Sequence, residues 1–536
     1  MKLFLLPLAC ILVLNCHQPQ AKEKYNPGQK PNIIFIISDD HAYQAISAYN
    51  TALIKTPAID RLATEGMLFH NAFVTNSICS PSRAVMLTGK FSHLNGVRDN
   101  IDVMDTSQVT FSKLLRQNGY ETAIYGKWHL KSEPTGFDFW EILPDQGQYY
   151  QPDFITPQGM IRETGYVTDI IMDKSIHYLD SLRNREKPFM LMINNKASHR
   201  DWWPSMQDLD AFKNKEIPVP PSLFDTYENR SKASSAAEMR IADHMALTMD
   251  NKITPELVSN LGYKEFLDWY ATDYKNSFDR LSETEKGQWQ KVYGPIEVDF
   301  TKNKPNGKAL TLWKYQRYME DYLGTIVSVD RNIGRLLNYL DLHDLAQNTI
   351  VIYTSDQGFY LGEHGWFDKR FMYEESFRTP LLIRYPEMIR PGSINDDRVK
   401  NLDLAETMLD VAGVAIPEEM QGLSLMPLFK NNNKGWRDAL YYHYYEYPGI
   451  HAVKRHYGIR TARYKLIHFY YDIDEWEMYD LEKDPHELHN IYNAPDYAKV
   501  QKQLHKRLSE IRIQYQDSEA LDRKFIESDL ARLNLK

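Results

Sequence analysis

The sequence predicts an α/β protein whose main body is a large, mostly parallel mixed sheet sandwiched by helices. A smaller C-terminal α+β subdomain with a short antiparallel sheet is predicted to follow. Short apolar runs with the length of buried strands alternate with helical patterns, which indicates a parallel sheet. After residue 435 the pattern changes to closely spaced aromatic segments, which are typical of short antiparallel strands. The apolar runs of the main sheet lie at residues 32–37, 122–125, 189–193, 349–353 and 381–385.

Helical patterns separate these runs. Thr56 offers an N-terminal cap, Pro57 fits the first turn, and Gly66 ends this first helix. Between Tyr318 and Leu340, apolar residues recur every three or four positions. This spacing predicts a long amphipathic helix immediately before the strand at 349–353.

Changes in composition along the chain predict the boundaries of the main domain, the insertion and the subdomain. Residues 32–430 are predicted to form the main domain, and residues 436–520 are predicted to form the subdomain. Residues 202–308 are polar and weakly periodic, which indicates a long insertion whose role the sequence leaves open. Inside the subdomain, strands are predicted at 440–445, 457–461, 464–471 and 477–479, and a closing helix at 500–513.

Bulk composition excludes several classes of protein. The 536 residues are 43% hydrophobic and 12% aromatic, which is outside the range of disordered chains. The net charge of −9 is spread along the chain, which argues against general affinity for nucleic acid. An anionic substrate therefore requires a local cluster of Lys, Arg and His that overcomes this negative background.

The N-terminus is predicted to be an export signal, covering residues 1–21. Lys2 supplies the positive charge, and the apolar run at 3–14 is too short to span a bilayer. Two cleavage patterns remain open: a bacterial lipoprotein signal that makes Cys16 the lipidated first residue, or ordinary cleavage near Ala21. Residues 22–31 are polar and contain two prolines, as a linker does. We expect a periplasmic or cell-surface protein whose only membrane contact is a lipid anchor at Cys16.

Cys79 is the one cysteine that follows the predicted signal. A single cysteine cannot form an internal disulfide, so it is either a packed small apolar residue or a reactive group. Its context predicts a helix that begins at Pro81, is capped by Ser80 and ends at Gly89. This places Cys79 at a helix N-terminus, where free N–H groups favour an anion. Arg83 lies about one turn inside the helix and can point to the same place.

Polar side chains follow the predicted strands of the main sheet. Asp39 and Asp40 come directly after the first run, and Asp356 and Gln357 come after the fourth. Ligands of open α/β sheets bind beyond the carboxyl ends of the strands. Carboxylates gathered there repel one another unless a cation neutralises them, and oxygen ligands favour Ca²⁺ or Mg²⁺ over Zn²⁺.

A family resemblance rests on these motifs. The segment at 79–83 (Cys-Ser-Pro-Ser-Arg), with Leu87-Thr88-Gly89, resembles the signature of the type I, formylglycine-dependent sulfatases of the alkaline phosphatase superfamily. The family order is kept over residues 31–385, and the aromatic C-terminal segment is similar to the family's small subdomain. The further matching motifs lie at 39–40, 126–129, 196–199, 356–358 and 362–365, ahead of Lys369.

The resemblance implies a set of site residues. Asp39, Asp40, Asp356, Gln357 and the modified Cys79 are expected to bind one Ca²⁺, with Gln357 in place of the commoner Asn. The groups expected to surround the sulfate are Arg83, Lys127, His129, His199 and Lys369.

The resemblance also implies a chemistry. Cys79 is converted to formylglycine by a maturation enzyme, and one oxygen of its hydrated form attacks sulfur. His199, with Lys369, is the candidate that protonates the leaving oxygen, and His129 assists the release of sulfate. Residues 32–430 then form the sulfatase catalytic domain.

The substrate is less determined than the class of reaction. Residues 195–204 and 356–369 resemble stretches of N-acetylglucosamine-6-sulfatases and heparan sulfatases, and related sequences act on algal polysaccharides such as ulvan. A sulfated oligo- or polysaccharide is therefore expected. Trp202 and Trp203 either stack on a sugar ring or pack the insertion. Two alternatives remain: a phosphonate or phosphodiester hydrolase of the same superfamily, and a lipoprotein that binds sulfated glycan without turnover.

Overall fold

The computed structural model describes residues 29–213 and 215–534. The predicted signal peptide, the proposed anchor at Cys16 and most of the linker lie outside the described residues. The strands are, in chain order, β1 Asn32–Ser38, β2 Met67–Phe69, β3 Ala72–Phe73, β4 Glu121–Lys127, β5 Phe139–Leu143, β6 Asp153–Thr156, β7 Gly159–Arg162, β8 Phe189–Asn194, β9 Thr349–Ser355, β10 Tyr360–Leu361, β11 Phe367–Asp368, β12 Leu381–Arg384, β13 Ser393–Asn395, β14 Val399–Lys400, β15 Leu440–Tyr444, β16 His456–Arg460, β17 Tyr464–Phe469 and β18 Glu475–Asp480.

The helices cover both faces of the main sheet, and four of them, α6 to α9, lie in the insertion. None of the helices in the described residues is long and apolar enough to cross a membrane. In chain order they are α1 Pro57–Thr64, α2 Cys79–Thr88, α3 Ser92–Asn95, α4 Phe111–Gln117, α5 Val167–His177, α6 Lys232–Ala236, α7 Pro255–Asn260, α8 Trp269–Phe278, α9 Glu283–Asn303, α10 Gly307–Leu342, α11 Glu374–Phe377, α12 Asp403–Val411, α13 Met426–Phe429, α14 Ala498–Gln514 and α15 Glu519–Arg532.

The main sheet has the order β13-β2-β12-β9-β1-β8-β4-β5-β6-β7. Its five central strands, from β9 to β5, are mutually parallel. Antiparallel strands flank them, because β12 runs against β9 and β6 runs against β5. The predicted fold, a mostly parallel mixed sheet with a small antiparallel sheet after it, is confirmed.

The central strands are apolar on both faces because helices cover both faces. In β1, alternate residues belong to different cores: Ile33 and Phe35 pack on one side of the sheet, and Ile34 and Ile36 pack on the other. The long helix α10 covers the second side and contacts α1 and α5 there. Buried strands of this kind hold their C-terminal ends in fixed positions.

Helix α2 differs from the prediction at its start. It begins at Cys79 and not at Pro81, and its N-cap residue is Ile78, which provides no side-chain cap. The Ser80 hydroxyl donates instead to the backbone carbonyl of His129. The predicted end is correct, because Gly89 has a left-handed φ of 61° and its N–H donates to the Val85 carbonyl.

The C-terminal sheet is antiparallel in the order β15-β16-β17-β18, and α14 packs against it. A further helix, α15, follows beyond the predicted end of the subdomain at residue 520. Asp529 of α15 pairs with Arg98 at 2.9 Å and with Arg455 at 2.7 Å. The last helix therefore joins the subdomain to the loop that follows α3.

The insertion is more regular than its composition suggests, since it contains α6 to α9. Trp202 and Trp203 are 0% and 1% exposed, so they pack the insertion and do not stack on a ligand. Trp203 stacks on Trp289 of α9 with ring centroids 4.4 Å apart. The aromatic contacts explain why a polar segment folds: a few large rings supply its core.

Candidate active site

The acidic residues meet because their strands are neighbours. β1 and β9 pair in parallel, with Ser38 opposite Ser355, so the next residues of both strands leave the sheet side by side. The backbone N–H of Asp40 donates to Asp356 Oδ1 at 3.1 Å. Asp40 has a φ of 57°, a left-handed conformation that Asp tolerates better than most residues and that sharply turns the chain. The strand ends therefore place three carboxylates at one point.

These carboxylates are buried and crowded. Oxygens of Asp39, Asp40 and Asp356 lie within 4.8 Å of one another, and all three residues are at most 1% exposed. Burial raises the pKa of Asp40 to about 6 and that of Asp356 to about 7. Although burial opposes it, Lys127 holds the pKa of Asp39 well below the usual range.

The donor set fits a hard divalent cation. Gln357 Nε2 donates to Asp40 Oδ1 at 2.5 Å, but the buried Gln357 Oε1 has no hydrogen-bond partner in the described chain. A neutral amide oxygen beside three carboxylates is an oxygen-only set of the kind that Ca²⁺ prefers. Such a cation would also relieve the repulsion among the carboxylates.

Cys79 lies beside this cluster as the first residue of α2. It is 0% exposed, and its Sγ is 3.4 Å from Asp39 Oδ1 and 3.4 Å from Lys369 Nζ. Burial, with the Asp39 charge, raises the pKa of the thiol to about 12. The unmodified thiol is therefore protonated at neutral pH, and a protonated thiol is a poor nucleophile.

Three basic side chains surround the cysteine and the carboxylates. Arg83 Nε donates to Asp356 Oδ2 at 3.0 Å, and Arg83 Nη1 donates to the Lys127 carbonyl at 2.9 Å. Lys127 Nζ donates to Asp39, and Lys369 Nζ donates to both oxygens of Asp40 at 2.7 Å. The structure thus contains the local positive cluster that an acidic chain needs to bind an anion.

Two histidines lie on opposite sides of the cluster. His129 Nδ1 is 3.3 Å from Ser80 Oγ, and its Nε2 is 3.2 Å from Asp145 Oδ1. His199 Nε2 is 3.7 Å from Asp40 Oδ2. Burial lowers the pKa of His129 to about 4 and, together with Lys127, holds the pKa of His199 well below its usual range. Both rings are therefore uncharged at neutral pH.

Every site residue predicted from the sequence lies in this cluster, but one contact residue was missed. Gln146 accepts a hydrogen bond from Lys127, and its Nε2 is 3.1 Å from His129 Nε2. It lies in the turn after β5, which carries no motif. A glutamine in a polar turn gives no signal in a single sequence, so only the fold reveals its position.

A mouth of about 400 Å³ opens from the cluster to the surface. It is lined by three separate parts of the chain: the loops after the sheet strands, the insertion, and the subdomain. His451 of the subdomain lies here and contacts Asp368 at 3.2 Å, whereas His443 and His456 are buried within the subdomain. Lining residues include Lys196, Arg200, Trp269, Asp273, Arg370 and His451.

The fold and the charged cluster define a hydrolase of the alkaline phosphatase superfamily that acts on an anionic ester. The sulfatase family model matches residues 31–414, and the chain belongs to the sulfatase family. A second model, the C-terminal region of N-sulphoglucosamine sulphohydrolase, matches residues 362–514. The protein is thus an enzyme that hydrolyses sulfuric esters.

Relatives cover nearly the whole chain. An N-acetylglucosamine-6-O-sulfatase of Bacteroides thetaiotaomicron is 49% identical over 521 residues, which are 96% of this chain and 91% of that protein. A solved structure of a protein in complex with its substrate, D-glucosamine-2-N,6-O-disulfate, has 50% identity and a TM-score of 0.88, and covers 92% of this chain and 99% of that one. An ulvan-active sulfatase of Formosa agariphila is 23% identical over 94% of this chain and 86% of that protein.

Proposed function

We propose that this sulfatase removes the 6-O-sulfate of glucosamine units in a glycosaminoglycan, with a formylglycine made from Cys79 as the nucleophile. The observation that carries the proposal is the 49% identity to an N-acetylglucosamine-6-O-sulfatase across 96% of the chain. Ulvan is the weaker substrate candidate, because the ulvan-active relative is only 23% identical. The buried side chains of Arg83, Lys127 and Lys369 are suited to bind the anionic sulfate group, and the mouth has space for the sugar.

The burial of Cys79 explains why a modified residue is needed. A thiol with a pKa of about 12 is not a useful nucleophile at neutral pH. Oxidation of its Cβ to an aldehyde, with the oxidant supplied and the thiol sulfur removed by a maturation enzyme, followed by hydration, places two hydroxyls at the same point. A maturation enzyme that acts on Cys79 is therefore the expected protein partner.

Asp39, Asp40, Asp356 and Gln357 would hold Ca²⁺ next to residue 79. When bound, the ion would neutralise part of the charge on the sulfate oxygens and lower the pKa of a neighbouring hydroxyl. Arg83, Lys127 and Lys369 are placed to stabilise the remaining negative charge, which spreads over the oxygens in the transition state of sulfuryl transfer, as in phosphoryl transfer.

Proton transfer falls to the two histidines. As one oxygen at residue 79 bonds to sulfur, the bond from sulfur to the sugar oxygen breaks and that oxygen needs a proton. His199 faces the mouth, and the charge of a bound sulfate ester raises the pKa of its ring, so it serves as the donor. His129, held by Ser80 and Asp145, accepts the proton of the second hydroxyl as sulfate leaves and the aldehyde reforms.

The test is sulfate release measured by ion chromatography from 6-O-sulfated glucosamine, chondroitin and ulvan oligosaccharides. The enzyme is co-expressed with a maturation enzyme, conversion of residue 79 is verified by peptide mass, and Cys79→Ala serves as the control. We expect release from the glucosamine substrates alone. Turnover of phosphonate or phosphodiester substrates in its place, or binding of sulfated glycan without turnover, would contradict the proposal.

We propose from residues 1–21 that the enzyme is exported. An exported sulfatase tethered by lipid at Cys16 would meet polysaccharide in the periplasm or at the cell surface. Cell fractionation tests this: Cys16→Ala is expected to move the enzyme from the membrane fraction to the soluble exported fraction. Wild-type enzyme in the soluble fraction indicates ordinary cleavage near Ala21.

A further inference from the structure

The turn that carries Asp39 and Asp40 is held by hydrogen bonds from three other parts of the chain. Asp39 exchanges backbone hydrogen bonds of 3.1 and 2.7 Å with residues 197 and 198, in the loop after β8. The N–H of Asp40 donates to the Asp356 carboxylate at 3.1 Å, beyond the end of β9. Two further backbone groups of the turn, the Asp40 carbonyl and the Ala42 N–H, are bonded by a side chain of α10.

That side chain is Tyr322, which bonds both groups with one hydroxyl. Its oxygen accepts a hydrogen bond from the Ala42 N–H at 2.9 Å, and its O–H donates to the Asp40 carbonyl at 2.9 Å. Ser198 Oγ donates to the same carbonyl at the longer distance of 3.4 Å. Because Tyr322 is fully buried, loss of its hydroxyl would leave the Ala42 N–H without this partner in a site closed to solvent.

The hydroxyl acts where the backbone is least relaxed. Asp40 has a left-handed φ of 57°, and such conformations persist only where surrounding contacts fix them. Tyr322 holds the carbonyl of Asp40 itself and the N–H of Ala42 two residues later. It therefore fixes the turn from which the Asp40 carboxylate projects into the acidic cluster.

The ring of Tyr322 reaches the second loop that carries acidic-cluster residues. It stacks on Phe359, which follows Gln357 by two residues, with ring centroids 5.7 Å apart and an interplanar angle of 12°. Trp202 packs edge-on against both rings, at 6.3 and 6.2 Å, and its indole N–H donates to the Ser198 carbonyl at 2.8 Å. The aromatic cluster of Trp202, Tyr322 and Phe359 thus joins the loops that follow β1, β8 and β9.

We infer that Tyr322 is a positioning residue for the calcium ligands. The inference rests on the proposed function, which assigns the ion to Asp39, Asp40, Asp356 and Gln357. Tyr322 acts on these ligands from behind, through the Asp40 turn and through the loop of Phe359. Groups that orient metal ligands typically change metal affinity by about 10- to 100-fold when they are lost. The same geometry gives Trp202 its role, which is to support this tyrosine and the loop after β8.

The test measures the Kd for calcium by isothermal titration calorimetry, using enzyme with residue 79 converted and its metal removed by a chelator. In Tyr322→Phe the ring remains and the hydroxyl is lost, so the Kd should rise by about 10- to 100-fold. At a fixed, limiting calcium concentration, the increase in melting temperature should be smaller than for the wild type. When calcium saturates the variant, kcat should return close to the wild-type value, and KM for sulfated glucosamine should not change.

Tyr318→Phe is the matched control, because Tyr318 lies about one turn earlier on α10 and is also fully buried. Its ring contacts Trp202 at 5.1 Å, but its hydroxyl donates at 3.5 Å to the carbonyl of Tyr360, in a strand that carries no proposed ligand. This variant loses the same atom from the same helix and should keep the wild-type Kd for calcium.

The outcomes separate this inference from the proposed function. A wild-type Kd in Tyr322→Phe, or an equal rise in Tyr318→Phe, overturns the inference and leaves the sulfatase activity and its calcium site in place. A wild-type enzyme that binds no calcium overturns the calcium site and the inference with it. If Tyr322→Phe does not fold, Ser198→Ala decides, because it removes the longer bond to the Asp40 carbonyl: a smaller rise in Kd supports the inference, and an unchanged Kd overturns it.

Discussion

The sulfate site, which is the buried cluster of Cys79, the three carboxylates and the surrounding basic side chains, is built differently from the mouth. The sulfate site consists of side chains that directly follow paired parallel strands, together with the first turns of α2, and its carboxylates and cysteine are at most 1% exposed. The mouth is built from loops, the insertion and the subdomain, and it includes Trp269, which is 45% exposed. The sulfate site is a rigid, buried frame that positions the reacting groups, whereas the loops, insertion and subdomain around the mouth set which sugar can enter.

This difference predicts that perturbing the frame changes kcat, and that perturbing the mouth changes substrate preference. The largest effect should come from removing the metal. A chelator is expected to abolish sulfate release and to lower the melting temperature, because only Arg83, Lys127 and Lys369 then offset the repulsion among the three clustered carboxylates.

Calcium should restore both properties, and differential scanning fluorimetry with a parallel activity assay measures them together. Asp356→Asn removes one of the crowded charges, so its melting temperature should respond less to the chelator. Full activity after complete chelation, verified by elemental analysis, would show that the carboxylates serve another purpose.

The next largest effect is expected for Lys127→Ala. Its ammonium neutralises Asp39 and is proposed to stabilise the sulfate, so kcat should fall by about 10²- to 10³-fold, as for other lost transition-state donors. Steady-state kinetics at saturating substrate measures this loss, and circular dichroism checks the fold. Lys174→Ala breaks ion pairs with Glu141 and Glu163 outside the site and should keep wild-type kcat. Equal losses in the two variants would contradict the assignment of Lys127.

A smaller and more selective effect is expected at the mouth. Trp269→Ala should raise KM for sulfated glucosamine by about tenfold with little change in kcat, because an exposed ring contributes binding and no chemistry. A small aryl sulfate, which does not reach the rim, should show the same KM in both enzymes. A loss of kcat on both substrates would mean that Trp269 affects the chemical step, as the residues of the sulfate site are expected to do.

The smallest effect concerns a buried acid outside the site. Burial raises the pKa of Glu406 to about 8, far above its ordinary value of 4.5. Folding therefore favours the protonated form, and this contribution to stability is lost as pH rises through the pKa of the folded state. Glu406→Gln should melt a few degrees above the wild type at pH 9, with a smaller difference at pH 5.

Thermal melts across this pH range check the sign, and kcat should not change. Glu406 and Asp356 are both buried acids with raised pKa values, but only Asp356 belongs to the sulfate site. A kcat that falls in Glu406→Gln would mean that a buried acid outside the sulfate site also affects the reaction.

The frame could be predicted from the sequence because each of its parts has a local signal. Apolar runs define strands, and Asp39 and Asp356 directly follow two of them, so the parallel sheet is enough to bring them together. The roles of Cys79 and His199 came from family motifs, since a buried thiol and a loop histidine have no such local signal. The Ser80 cap was a wrong prediction, because the hydroxyl found a tertiary partner at the His129 carbonyl.

The mouth and its surroundings could not be predicted in the same way. Gln146 and Trp269 are brought to the mouth by a turn and by the insertion, and a single residue in such a segment has no periodic neighbours to indicate which way it points. Helix α15 was missed because its apolar residues form no stripe, and its buried positions include Asp522 and Asp529, which pair with arginines. Long-range ion pairs of this kind are not visible in the sequence.

Ion pairs of α15 also connect the active site to residues that are far away along the chain. Arg532 of α15 pairs with Asp99, which lies 433 positions earlier in the chain, and with Asp102 at 2.7 Å. Asn100, which lies between these two acids, accepts a hydrogen bond from the backbone N–H of Ser80 at 3.1 Å. The backbone beside Cys79 is therefore anchored, through the loop that contains Asn100, by residues near 530. The geometry of the site thus depends on contacts of very high sequence separation, the kind that forms slowly in folding.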